Sequence, residues 1–224
     1  MRISTPSLQQ ERSRILDILR GIALLGICLA NYPVLSLYIF QGPQAWEQMP
    51  TAAVDGPLAF VHFIFWDGKF YTLFSLLFGI GFSIILLRSQ QKNRNGLTLF
   101  YRRLFILLLI GLAHSLFIWV GDILLLYALV GMLLPLFRNL SDKKLLVWAA
   151  VLILSPIFID TLKVVSGNTI NLSTPLKNIW LQKEAQAGIT DQNFPTWLMV
   201  HRSYSEVVQF NMVEFFMRWS DLLN

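Results

Sequence analysis

A single cysteine, Cys28, excludes a disulfide framework and a cysteine-based zinc site within the chain. Charge is scarce too. Asp, Glu, Lys and Arg make up 14% of the residues, well below the roughly 25% usual in soluble domains. No group of His, Cys and Glu has metal-ligand spacing. No Gly-x-Ser-x-Gly elbow occurs, and nothing fits a haem or flavin. The glycine pair in "FGIGF" lacks the strand-turn-helix setting and the Lys-Ser/Thr partner of a phosphate loop. Apolar residues are plentiful instead, at 55% of the chain with 17 Phe and 7 Trp, and the mean hydropathy is +0.56. That composition suits a bilayer protein, with aromatics in the core and at the interfaces.

The formal charge of +5 does not imply nucleic acid. The cations form no stripe with interleaved aromatics. They sit in short blocks between apolar runs, as topology signals do. Spans need about 20 mostly apolar residues, and five candidates emerge, at about 15–40, 69–87, 97–120, 122–137 and 144–162. The first is longer than the roughly 7–15-residue core of a signal peptide, so it reads as an uncleaved span, bent near Pro33. The third and fourth meet at "WVGD", a hairpin in which Gly121 supplies the turn. Leu58–Trp66 reads as a short interfacial or re-entrant helix, or as the start of a longer tilted span.

Orientation follows from Lys and Arg in the short loops. The N-terminal tail carries Arg2, Arg12 and Arg14, and the second-to-third and fourth-to-fifth connections are also basic. "QGPQAWEQMPTAAVDGP" and "WVGD" contain no cation. The alternation predicts a cytoplasmic N-terminus. The expected fold is an all-α, polytopic transmembrane helix bundle, one membrane domain over residues 1–224, with the lipid bilayer as its partner. Residues 163–224 are expected outside, as a polar segment with an amphipathic end. There Val207, Phe210, Val213 and Met217 share a helix face that would lie on the membrane surface or lead into a further span. "NLS" at Asn171 fits a glycosylation acceptor and nothing else supports one.

Small residues recur every fourth position at Ser75, Gly79 and Ser83, at Gly26 and Ala30, and at Gly111 and Ser115. In lipid that spacing lets helix backbones approach. Polar residues inside the runs are costly and are the functional candidates. Asp17, Arg20 and Asn31 lie within an arc of about 60° on one helix, with Arg20 and Asn31 about 16 Å apart along it. Either Arg20 snorkels to the headgroups with Asp17 as partner and Asn31 bonds a neighbouring helix, or this face lines a polar cavity where Arg20 holds an anionic group. His114 and Asp122 flank the hairpin. A carboxylate on one ring nitrogen would orient the imidazole as a general base; the plainer role of Asp122 is to cap the fourth span. His62, Asp67 and Lys69 flank the second span without clear chemistry, and Asp160 with Lys163 reads as an exposed pair. Trp46, Trp66, Trp119 and Trp180 suit an outer aromatic belt.

"LDILRGIALLGICLAN", "KFYTLFSLLFGIGF" and "RRLFILLLIGLAHSLFIWVGDILLLYALVG" together resemble the YeiB-like family of bacterial inner-membrane proteins, covering most of Leu16–Gly131. "SYSEVVQFNMVEF" resembles that family's following segment. The family is labelled transport-associated. Its first helix is similar to that of membrane acyltransferases that acetylate sugars, including the lysosomal heparan glucosaminide acetyltransferase. The resemblance implies transfer of an acyl group from cytoplasmic acyl-CoA to an extracytoplasmic glycan, with no bound cofactor. One branch of those enzymes has a His eleven residues after the Arg; here Asn31 stands there, so the base would fall to His114 or His62. Family members continue with further spans, so the chain is expected to be a truncated member. On this reading Arg20, with Arg102 and Arg103, meets the donor phosphates. Asn31 stabilises the acyl oxyanion, and His114 with Asp122 deprotonates the acceptor. A transport-associated protein without catalysis, or a scaffold whose polar residues only join helices, are the alternatives.

Overall fold

The computed structural model describes residues 14–36, 38–40, 43–167, 173–189 and 203–223. Asn171 and His201 lie outside them. The described residues are helical, with no strand among them. Contacts divide the chain into two compact units, Met1–Lys92 and Asn93–Asn224.

The first unit contains α1 (Arg14–Leu35), α2 (Pro43–Glu47), α3 (Ala52–Phe65) and α4 (Lys69–Gln91). α1 stops two residues after Pro33, earlier than the expected end at Phe40. A 3-10 turn, Tyr38–Phe40, follows it. Proline lacks the N–H that would continue the ladder, so a helix running a full span past it is disfavoured. The loop beyond is clasped. Tyr38 donates its hydroxyl to Asp55 Oδ2 (2.8 Å), and Trp46 Nε1 donates to the Tyr38 carbonyl (2.9 Å). The Asp55 carboxylate holds the Tyr38 phenol above its ordinary range, chiefly by accepting that hydrogen bond.

The short outer helix expected at Leu58–Trp66 is the second half of α3. Gly68, at φ 73°, then starts α4 from a left-handed position that favours glycine. α1 packs on α4 at Gly26, where a Cβ would fall 2.1 Å from the Phe70 ring, so that glycine admits an aromatic side chain. The small-residue row of α4 does something else. Ser75 and Ser83 are exposed and bond their own helix at Tyr71 O and Gly79 O, and a Cβ on Gly79 would meet nothing within 4 Å. That row is not a packing seam within its unit.

The second unit contains α5 (Gly96–Phe117), α6 (Leu124–Gly131), α7 (Asp142–Val165), α8 (Thr174–Ala187) and α9 (Tyr204–Leu223). Asn95 caps α5, accepting from the Leu97 and Thr98 amides. The fourth expected span, 122–137, is an eight-residue α6 followed by a 3-10 turn at Leu134–Phe137. α5 and α6 pack closely at Gly111, Leu125 and Ala128, with Ala128 fully buried. α7 has no buried residue and exposes apolar surface along its length, as a helix solvated by lipid would.

Among the described residues, four stretches are long and apolar enough to cross a membrane: Arg14–Leu35, Ala52–Gln91, Gly96–Phe117 and Asp142–Val165. The amphipathic end is α9. The structure gives it protein partners, α8 and α5.

Candidate functional site

The α5–α6 hairpin brings together the two residues singled out from the sequence. His114 lies one turn from the end of α5, and Asp122 precedes α6. His114 Nδ1 and Asp122 Oδ1 are 3.0 Å apart. Their alignment is poor, so neither atom completes a hydrogen bond of good geometry; the short separation establishes proximity. Asp122 is 5% exposed. Its Oδ2 accepts from the Leu125 amide at 2.7 Å, capping α6 as the sequence suggested. Its main-chain oxygen accepts from Arg218 Nη2 on α9, 3.1 Å away. Asp122 thus ties α5, α6 and α9 together. His114 Nε2 has no hydrogen-bond partner among the described residues.

Gly121 lies in the hairpin turn, as expected, without needing a left-handed backbone. A Cβ there would fall 2.2 Å from the Trp119 ring, and its φ is not positive. It makes room for the indole. Arg102 and Arg103 are exposed near the other end of α5, about 16–18 Å along the helix from His114. The hairpin does not bring them to the His–Asp pair.

Arg218 was missed because nothing local marks it. A signal does exist in α9. Tyr204, Asn211 and Arg218 stand seven residues apart, a spacing that drifts only about 20° per step on a helix. Tyr204 donates its hydroxyl to the Phe117 carbonyl at 3.1 Å. Two members of this row therefore grip the main chain on either side of the hairpin turn.

On its other side α9 meets α8. Trp180 Nε1 donates to Glu214 Oε1 at 3.4 Å, and Lys183 Nζ lies 5.6 Å from the Phe216 ring centre. Burial pushes the Glu214 carboxyl up to about 7, with Glu184 and Asp221 adding repulsion and the Trp180 hydrogen bond opposing it. Folded Glu214 therefore holds a proton that the unfolded chain releases between its ordinary 4.5 and about 7. This contribution to stability is full at the low end of that window and lost as pH rises through about 7. Glu214→Gln keeps the acceptor for Trp180 and removes the titration. The wild-type melting temperature should fall between pH 5 and 8 relative to the variant, by the equivalent of about 1–3 kcal/mol after allowing for solvent screening. Parallel pH profiles in detergent would contradict this.

In the first unit, Arg20 pairs with Asp17 at 3.6 Å. Its guanidinium lies against α4, where a Cβ on Gly81 would come within 3.1 Å of Nη2. Asn31 accepts from Tyr71 hydroxyl at 2.7 Å, the interhelical bond foreseen as its plainer role. His62 Nε2 is 3.4 Å from the Leu29 carbonyl and its ring stacks with Trp66. Lys69 bonds the Phe63 carbonyl, and Lys163 pairs with Asp160 at 3.4 Å. Among the described residues no group of three or more His, Cys, Asp or Glu side chains could hold a metal.

The described residues define a helical protein with several helices long and apolar enough to cross a membrane and an imidazole–carboxylate pair beside a tight hairpin. The comparisons narrow it. The chain is 39% identical over 158 residues to the uncharacterized protein YxaH of Bacillus subtilis (strain 168), covering 66% of this chain and 38% of that protein. It is 35% identical over 154 residues to an uncharacterized 39.9 kDa protein encoded in the amylase 3' region of Bacillus acidopullulyticus, covering 68% and 42%. It is 40% identical over 125 residues to the uncharacterized protein YeiB of Escherichia coli (strain K12), covering 55% and 30%. These similarities are consistent with a YeiB-like family. The chain spans about two fifths or less of the length of these relatives. No family model matches it, and no solved structure does.

Proposed function

We propose that the chain is part of a multi-pass bacterial inner-membrane acyltransferase, with His114 as its general base. The observation that carries this reading is the 3.0 Å approach of His114 Nδ1 to buried Asp122, with Nε2 unengaged. Asp122 holds the neutral ring with its proton on Nδ1, leaving Nε2 as the acceptor. The acceptor's hydroxyl oxygen attacks the thioester carbonyl carbon of acyl-CoA, and its proton passes to Nε2. The tetrahedral intermediate collapses, the C–S bond breaks, and the departing thiolate takes the proton from His114. The products are an acyl ester and free thiol. An amine acceptor gives an amide by the same steps.

Exposed Arg102 and Arg103 suit the donor's phosphates, and Arg20 offers a guanidinium of its own in the first unit. The alternation of basic and cation-free loops supports a cytoplasmic N-terminus, with opposite ends of α5 on opposite sides of the membrane. That topology sets acyl-CoA on the Arg102 side of α5 and an extracytoplasmic glycan on the His114 side. The test is transfer of labelled acetyl from acetyl-CoA to glycan in membranes holding the full chain. His114→Gln should reduce it 10²- to 10⁴-fold, the usual range for a lost general base. An unchanged rate removes His114 from the chemistry, and no transfer by the wild type removes the activity.

A further inference from the structure

The row on α9 holds a side-chain donor that is unpartnered among the described residues. Tyr204 and Arg218 each donate to the main chain of the α5–α6 hairpin, at Phe117 and at Asp122. Asn211 stands midway, seven residues and about 10 Å of rise from each, on the same face within about 20°. It is 2% exposed, yet its Nδ2 has no hydrogen-bond partner among the described residues. Native folds rarely bury an amide donor unpaired, and such a group calls for a ligand, a water or a functional role.

The surroundings select the ligand chemistry. An amide N–H only donates, so its partner must offer an acceptor. The two flanking grips direct this face of α9 to the hairpin that carries His114 and Asp122. The oxygen that a reacting acyl group presents beside a general base is its carbonyl, an acceptor that gains negative charge as the tetrahedral intermediate forms. We infer that Asn211 donates its Nδ2 hydrogen to the carbonyl oxygen of the acyl group on which His114 acts. The inference rests on the acyl-transfer reading and deepens it. It gives the oxyanion donor to α9, whereas the sequence pointed to Asn31, which bonds Tyr71.

Asn211→Val and Asn211→Thr differ by one hydroxyl in side chains of nearly equal shape, so they separate the donor from the space it fills. Both are to be made in the full chain, with acetyl-CoA as the probe. Val should lower kcat for acetyl transfer about 10²-fold, the low end for loss of one oxyanion donor, and Thr should recover part of that loss. Without ligand, Val should melt no lower than Thr, because removing an orphan donor costs the fold nothing. Equal loss of transfer in the two variants, or wild-type transfer in Val, would overturn the inference. So would a Val variant that melts several degrees below Thr without ligand, since the fold would then itself be satisfying the donor. In these outcomes the wild type still transfers acetyl, so they are distinct from failure of the acyl-transfer reading, which would show as no transfer by the wild type.

Discussion

Asp122→Asn is expected to leave the protein folded and to cut acetyl transfer by 10³- to 10⁴-fold. The asymmetry follows from the separate duties of the two carboxylate oxygens. Oδ2 caps α6 by accepting from the Leu125 amide, and an asparagine oxygen caps as well as a carboxylate. Oδ1 faces His114 Nδ1 at 3.0 Å. With asparagine that position becomes an NH2 group, which donates. The ring must then accept at Nδ1 and carry its proton on Nε2, the nitrogen that needs to be empty. In serine-protease triads the same substitution keeps the geometry and costs about 10⁴ in kcat through the wrong tautomer. Asp122→Ala differs because it also loses the cap, at about 0.5–2 kcal/mol. It should melt lower as well as fail to transfer. Nitrogen NMR of labelled histidine reads the tautomer directly: His114 should carry its proton on Nδ1 in the wild type and on Nε2 in Asp122→Asn. An unchanged tautomer together with an unchanged rate would end the role of Asp122 as orienter.

The pairing of His114 with Asp122 was legible as an option because both flank a short hairpin; eight residues of chain permit their approach without requiring it. The Asn31 hydrogen bond and the Gly26 and Gly111 packing sites were legible in kind, since a polar or small residue in an apolar run has few other uses. Their partners were not. Tyr71 is 40 residues from Asn31 and Arg218 is 96 from Asp122, and no local pattern encodes a contact at that distance. α9 is the amphipathic helix expected, but its protein partners were not legible. Its apolar positions Val207, Phe210, Val213 and Met217 read as a face for lipid, while burial of Asn211 and Ser220 requires protein on more than one side. The α4 row misled in the opposite way. Ser75, Gly79 and Ser83 have packing-motif spacing, yet spacing alone does not say whether a helix lies opposite.

That distinction between glycines carries the second large effect. Gly111→Ala should destabilise the second unit by at least about 1–3 kcal/mol, and Gly111→Leu should prevent folding. A Cβ at Gly111 would lie 2.4 Å from the Leu125 amide nitrogen and 2.8 Å from Leu125 Cα. Both are backbone atoms, so no rotamer change relieves the overlap and α6 as a whole must move. The clash also strikes the amide that Asp122 caps. Displacing α6 therefore draws the carboxylate from His114, and transfer by Gly111→Ala should fall further than its stability alone would predict. Gly79→Ala is the control on the same chain. Nothing lies within 4 Å of its Cβ, and removing a helix glycine is neutral or favourable by up to about 1 kcal/mol. Melting curves of the two alanine variants in one detergent, with transfer rates taken well below both midpoints, give the comparison. If Gly111→Ala melted with Gly79→Ala and kept its activity, the close crossing of α5 and α6 would not be what holds Asp122 in place, because a single added methyl group at that crossing has no room unless the helices part.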